Sequence, residues 1–282
     1  MQLLLLKEKL KINKNILFFG LKLDKDQKGV FYLFKKIILT ILQQLFYFGM
    51  LVGSLLIIFG NQITAHIARS TTQHTVVKKI SDKELEEENK KADYDWSNVS
   101  NSNVLDSLSA KMKSKSNPIA LMTQPEARVA TTVVAGLDKY QLNLSAGTIS
   151  AEQKLGQGNY VLVGHHVPKS EWALFSGVYY FSQPGQKIYL TDLDKVYEYT
   201  VTNVKFVDPS ETDIVRQSKV DSDENGHTPG IPMLTIISCD INGEKRITEY
   251  ADLTATYDFN KNQLPKEAVE GFEKAGDFDW RS

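Results

Sequence analysis

The chain has 282 residues, 42% of them hydrophobic and 24% charged, which is an ordinary globular balance with enough length for a sizeable core. Its formal net charge of -1 argues against nucleic acid as a main partner, because phosphate binding needs an excess of Lys and Arg. The single cysteine excludes an intramolecular disulfide and a Cys-based zinc site, leaving either a small buried hydrophobe or a retained reactive thiol.

Residues 1–36 are rich in lysine, with Lys7, Lys9, Lys11, Lys14, Lys22, Lys25, Lys28, Lys35 and Lys36 against Glu8, Asp24 and Asp26. The run that follows, 37–59, reads IILTILQQLFYFGMLVGSLLIIF without a charge and is long enough to cross a hydrocarbon core of roughly 30 Å as a helix. Lys and Arg stay on the cytoplasmic side, so the expectation is a single-pass cell-membrane anchor with its N-terminus inside and the remaining chain outside. A cleaved signal peptide has an apolar region of only about 7–15 residues followed by small residues; this run is longer and lacks that pattern. No second apolar run of membrane length follows.

Residues 60–117 read as an extracellular stalk. Ser81 with Glu84 three residues on forms a capping box for a short, solvated, charged helix over DKELEEENKK. The SNVSNSN and KMKSKSNP stretches hold few large apolar residues and bury little. From Pro118 the texture changes to strand-like segments: IALMT, ARVATTVV, YVLVGHHV, KIYLTD, VYEYTVTNVKFV, MLTIISC and KRITEYADLTATY. Short helical connections are expected at EQKLG and EWALFSGV, and a hairpin around Leu193 and Asp194. Many short strands and few long helices predict a mainly β body over 118–258, a barrel or a sandwich. The tail, 259–282, holds a possible helix from Pro265 to Phe272.

Three polar residues stand out in this body. His165 ends the apolar run YVLVG, Cys239 ends MLTIIS, and Arg246 follows the cysteine by seven residues. An imidazole near a thiol stabilises the thiolate and later protonates a leaving amine. A permanently charged guanidinium supports an oxyanion without joining the proton transfers. The three types together suit acyl transfer. Their spacing leaves open a core cysteine, a His165–His166 metal pair without its remaining ligands, and a surface arginine. Asp240 reads as a turn residue beside the cysteine, and His66, His74 and His227 as solvated.

The strings GHH at 164–166, TIISC at 235–239 and EKR at 244–246 resemble the histidine, TLXTC and arginine motifs of the class A sortases. LNLSAGTISAEQKLGQGNY is similar to the segment before the histidine in streptococcal and lactobacillal members. The resemblance covers about residues 118–258. It implies a closed eight-stranded β-barrel and a membrane-anchored cysteine transpeptidase. By position, Cys239 is the nucleophile, His165 the general acid and then base, and Arg246 the substrate-positioning and oxyanion group. His166 shapes the site, Ile237 and Ser238 line the cleft, and Ile214 with the loop to Pro232 meets the sorting signal.

The implied reaction cleaves an LPXTG-type signal of a surface protein between Thr and Gly. It then passes the acyl group to an amine of a peptidoglycan precursor, lipid II. The alternatives are a hydrolase using the same site and a catalytically silent peptide-binding barrel. Ile236 stands where the family has Leu, and Ser238 where it has Thr. The acidic residues that bind calcium in some members are mostly absent, with Lys154 and Gly156 near Glu152. No cofactor or metal is expected, and calcium is not expected to be required.

Overall fold

The apolar run lies inside one long helix, α1 (Lys25–His74). The computed structural model describes residues 25–96, 99, 107, 109–110, 113, 117–168, 170–239 and 244–280. The basic residues before 25, much of the polar stretch 100–116 and Asp240 lie outside the described residues. The chain divides into two units, one ending at Ile57 and the other running from Ile58 onward. In the first unit the large apolar side chains of α1 are exposed. This helix is long and apolar enough to cross a membrane, and in water such a surface is unfavourable.

The second unit holds eight strands: β1 (Ala120–Gln124), β2 (Val129–Val134), β3 (Ala146–Thr148), β4 (Asn159–Val163), β5 (Lys187–Thr191), β6 (Lys195–Val207), β7 (Met233–Cys239) and β8 (Arg246–Asp258). They close into a barrel in the order β1-β2-β3-β4-β7-β8-β6-β5. The neighbours β4 and β7 are parallel, and every residue of both is buried. That explains their unbroken apolar runs, because a strand covered on both faces needs no polar alternation. Strand β8 is buried over its first half and alternates with solvent over its second.

Alternate residues of the shared strands enter two apolar clusters. Tyr160, Leu162, Leu234, Ile236, Ile247 and Ala251 point into the barrel with Tyr199 and Phe175. Val161, Val163, Met233, Ile237 and Tyr250 belong to an outer cluster with Leu137, Leu142 and Ile214. The hairpin falls where the sequence places it. Asp192 Oδ1 accepts from the backbone N–H groups of Asp194 and Lys195, both at 2.9 Å.

Within 60–117, expected as a stalk, several of the described residues are buried. Gly60, Thr64, Ala68 and Thr72 are buried at every fourth position of α1, where small side chains let a helix lie close to its neighbour. The capping box at Ser81 and Glu84 forms and starts α2 (Asp82–Lys91). Glu88 of α2 is buried and accepts from Asn117 Nδ2 at 3.0 Å. Segment EQKLG is a series of turns. The helix expected near EWALFSGV begins late, as α4 (Ser176–Phe181), after the short α3 (Lys139–Leu142). The tail helix, α5 (Lys266–Ala275), starts after Pro265 and packs on the barrel. Phe272 and Ala275 are buried there with Leu121 and Tyr189. A side chain on Gly271 would meet Thr123 Oγ1 at 2.2 Å, so only glycine allows this approach.

Candidate active site

Strand register brings the three candidate residues level. Val163 of β4 pairs with Ile237 of β7, and Gly164 continues the ladder by donating to Ile237 O at 3.1 Å. His165 is two residues past Val163, and Cys239 is two residues past Ile237. Across the next antiparallel pair, Cys239 stands opposite Arg246. Three adjacent strands thus deliver His, Cys and Arg to the same end of the barrel, in one row.

Two members of the row are buried, His165 at 2% exposed and Cys239 at 6%, and Arg246 is half-buried. Arg246 Nη1 lies 3.4 Å from Cys239 Sγ, where a fixed positive charge favours the thiolate. The His165 carbonyl accepts from Phe175 N–H at 3.1 Å, one residue after Gly164 is tied to β7. Gly164 is required by the same packing, because a Cβ there would meet the Phe175 ring at 2.5 Å. Beside it, His166 Nδ1 is 3.2 Å from Cys239 O. A carbonyl only accepts, so Nδ1 carries the proton. The His166 ring sits 5.0 Å from the Tyr179 ring and 5.6 Å from Tyr180.

Of the residues expected to line a cleft, Ile237 shares its β7 face with Cys239 and lies in the outer cluster. Ser238 is placed differently. Side chains alternate along a strand, so Ser238 turns inward with Ile236, and its Oγ is buried without a hydrogen-bond partner among the described residues.

Ile214 joins the outer cluster from a short turn, Asp213–Val215. Its loop is tied down by polar contacts that spacing does not reveal. Gln217 clasps the Asn159 backbone with two bonds of 2.8 Å. Lys219 Nζ bridges Asp213 at 2.6 Å and Glu224 at 2.7 Å. These contacts hold the Asp213 carboxyl below its ordinary range, led by the Lys219 bond. His227, expected in solvent, is 4% exposed. Its Nδ1 pairs with Asp252 of β8, and its Nε2 faces Val220 O of the loop at 3.1 Å, so the ring ties the loop to the strand.

The barrel interior behind the row holds the carboxyl of Glu249. Burial pushes it up to about 7, against hydrogen bonds from Ser182 and Gln124; the Gln124 Nε2 bond is 2.7 Å. Nothing in the alternating pattern of β8 marks this residue apart from a charge at an inward position. Among the described residues no cluster of three or more His, Cys, Asp or Glu side chains is placed to hold a metal ion.

Comparison with known proteins yields one family: a sortase domain matches residues 122–254. Sortase A of Streptococcus agalactiae is 31% identical over 218 residues, spanning 75% of this chain and 84% of that protein. Sortase A of Listeria monocytogenes is 30% identical over 219 residues, 75% of this chain and 91% of that protein. The solved structure of sortase A from Listeria monocytogenes is 31% identical and covers 55% of this chain and 97% of that one, with a TM-score of 0.45.

Proposed function

The chain belongs to the class A branch of the sortase family, cysteine transpeptidases that attach surface proteins to the cell wall, and we propose that it does so on an LPXTG-type signal with Cys239 as nucleophile. The observation that carries this reading is the row itself, with Cys239 paired to Arg246 across β7 and β8 and level with His165 just past the end of β4.

In the proposed sequence, the Cys239 thiolate attacks the carbonyl carbon of the signal's threonine. Arg246, already 3.4 Å from the sulfur, donates to the oxyanion that forms. The imidazolium of His165 protonates the leaving glycine amine, the C–N bond breaks, and a thioester remains. The amine of a peptidoglycan precursor, lipid II, then attacks the thioester. Neutral His165 takes the amine proton, and the thiolate leaves.

The apolar residues of the signal lie on the outer cluster, where Ile237 and Ile214 meet Leu137 and Leu142. His166 holds the end of β7 through the Cys239 carbonyl. The apolar run of α1 anchors the enzyme, with the basic N-terminal residues inside and the catalytic body outside.

Calcium is not required in this reading. A cation is already built into the Ile214 loop, because Lys219 neutralises Asp213 and Glu224. Adding millimolar calcium, or a chelator, leaves the turnover rate unchanged; a several-fold rise with calcium contradicts this.

The test follows cleavage of a quenched LPXTG-type peptide with and without a glycine or alanine amine acceptor, and with Cys239→Ala as control. Acceptor-dependent ligated product that vanishes in the mutant is the expected result. Cysteine-dependent cleavage without ligation makes the enzyme a hydrolase. Absence of cysteine-dependent turnover makes it a binding barrel.

A further inference from the structure

The part of α1 that continues past the apolar run is packed into the catalytic unit. Gly60 is buried directly after Phe59, and Thr64, Ala68 and Thr72 repeat the position at four-residue spacing. Ala68, 1% exposed, packs with Ala65 against Val167, Ala173 and Leu174. Those three residues belong to the connection that leaves the histidine pair. Leu174 is bridged to His166, and the next residue, Phe175, donates to His165 O. One turn further on, Thr72 Oγ1 donates to Leu144 O at 2.9 Å. Leu144 lies two residues past Leu142, a member of the outer cluster.

We propose that Ala68 and Thr72 are positioning residues for the transpeptidase reaction: the end of the anchor helix braces the connection that fixes His165 and the turn that carries Leu142. The reasoning is geometric. The residue before His165, Gly164, is tied to β7, the His165 carbonyl accepts from Phe175, and Phe175 follows directly on the residue that α1 packs against. A side chain larger than alanine at position 68 pushes Leu174, and Phe175 moves with it. Small displacements of an acid–base group from its reacting partner are costly, because the effective concentration of oriented groups is large. This inference rests on the reading that His165 acts with Cys239.

The test exploits the single cysteine, whose alkylation reports on the site without any peptide. The full chain in detergent micelles is treated with iodoacetamide over pH 5 to 9, and the rate against pH gives the titration of the Cys239–His165 pair. His165→Ala calibrates the assay and shifts the profile. Ala68→Leu is expected to shift it too, and to lower kcat for an LPXTG-type peptide by roughly tenfold or more with KM within about twofold. Ala68→Ser keeps the wild-type profile. So does Gln62→Leu, which places the same leucine on an exposed position of the same helix. Should Ala68→Leu fail to fold, Thr72→Val removes only the bond to Leu144 and is expected to alter KM more than kcat.

A shifted profile in His165→Ala, with wild-type behaviour in both Ala68→Leu and Thr72→Val, overturns the bracing role alone. An unchanged profile in His165→Ala sinks the catalytic reading and this inference with it.

Discussion

The two apolar clusters are built from the same strands and differ in what closes them. Leu162, Leu234 and Ile236 are fully buried inside the barrel, where strands close on every side. Val161, Val163 and Ile237, their immediate neighbours in sequence, face outward. The outer cluster is closed by connections: Leu142 from a short helix, and Ile214 from a loop tied by Gln217, Lys219 and His227. Under the proposed function, strand alternation thus assigns one face to stability and the other to recognition. The two roles are separable by substitutions one residue apart.

The sharpest way to break this separation is Leu162→Ala. It leaves a cavity in a closed interior, and the expected loss is about 2–5 kcal/mol by chemical denaturation, with kcat per folded molecule unchanged. An equal loss of kcat in fully folded protein would show that the interior also shapes the site.

Glu249 probes the same interior by charge. Folded Glu249 keeps its proton up to about pH 7, whereas in the unfolded chain it ionises near the ordinary value of 4.5. Between these values the folded state binds more protons, so stability falls as pH rises, and above pH 7 the full cost is present. Replacement by Gln removes this titration. The gain of Glu249→Gln over wild type, measured as the urea midpoint, therefore grows from pH 5 to pH 8 and reaches on the order of 3 kcal/mol. A gap that stays constant with pH would mean that the carboxyl is solvated.

The smallest effect belongs to the outer cluster. Ile214→Ala is expected to raise KM for an LPXTG-type peptide by roughly tenfold, about 1–2 kcal/mol, while the melting temperature stays within a few degrees. A large fall in melting temperature with unchanged KM would assign Ile214 to the fold.

Legibility followed the physics of each element. β7 was plain in the sequence because a strand buried on both faces needs an unbroken apolar run, and MLTIISC supplies one. The same run put Cys239 at a strand end, and the family motifs selected His165 over His166. Ser81 with Glu84 gave a helix start through a side chain–backbone exchange that is local by nature.

What escaped was non-local. β3 is three residues, Ala-Gly-Thr, paired over only two positions on each side, too short for any period to register. The buried edge of α1 past Phe59 uses Gly, Thr and Ala, which read as spacer material because small residues bury by close approach and not by bulk. His227 resembled a solvated loop residue because its partner, Asp252, is distant in sequence. The inward turn of Ser238 was available from strand alternation and was hidden by treating the motif as a unit.

The closure of the sheet has a further consequence for how a peptide can be read. Many peptide-binding domains lengthen a free sheet edge with the incoming chain, and main-chain bonding then supplies affinity largely without regard to sequence. A barrel closed from β1 around to β5 leaves only short stretches of strand edge, where neighbours of unequal length overlap. In the proposed reading, an extended substrate is gripped mainly through its side chains and by the connections around the outer cluster. Under the proposed function, selectivity for a short motif then rests more on side-chain contacts than on main-chain pairing.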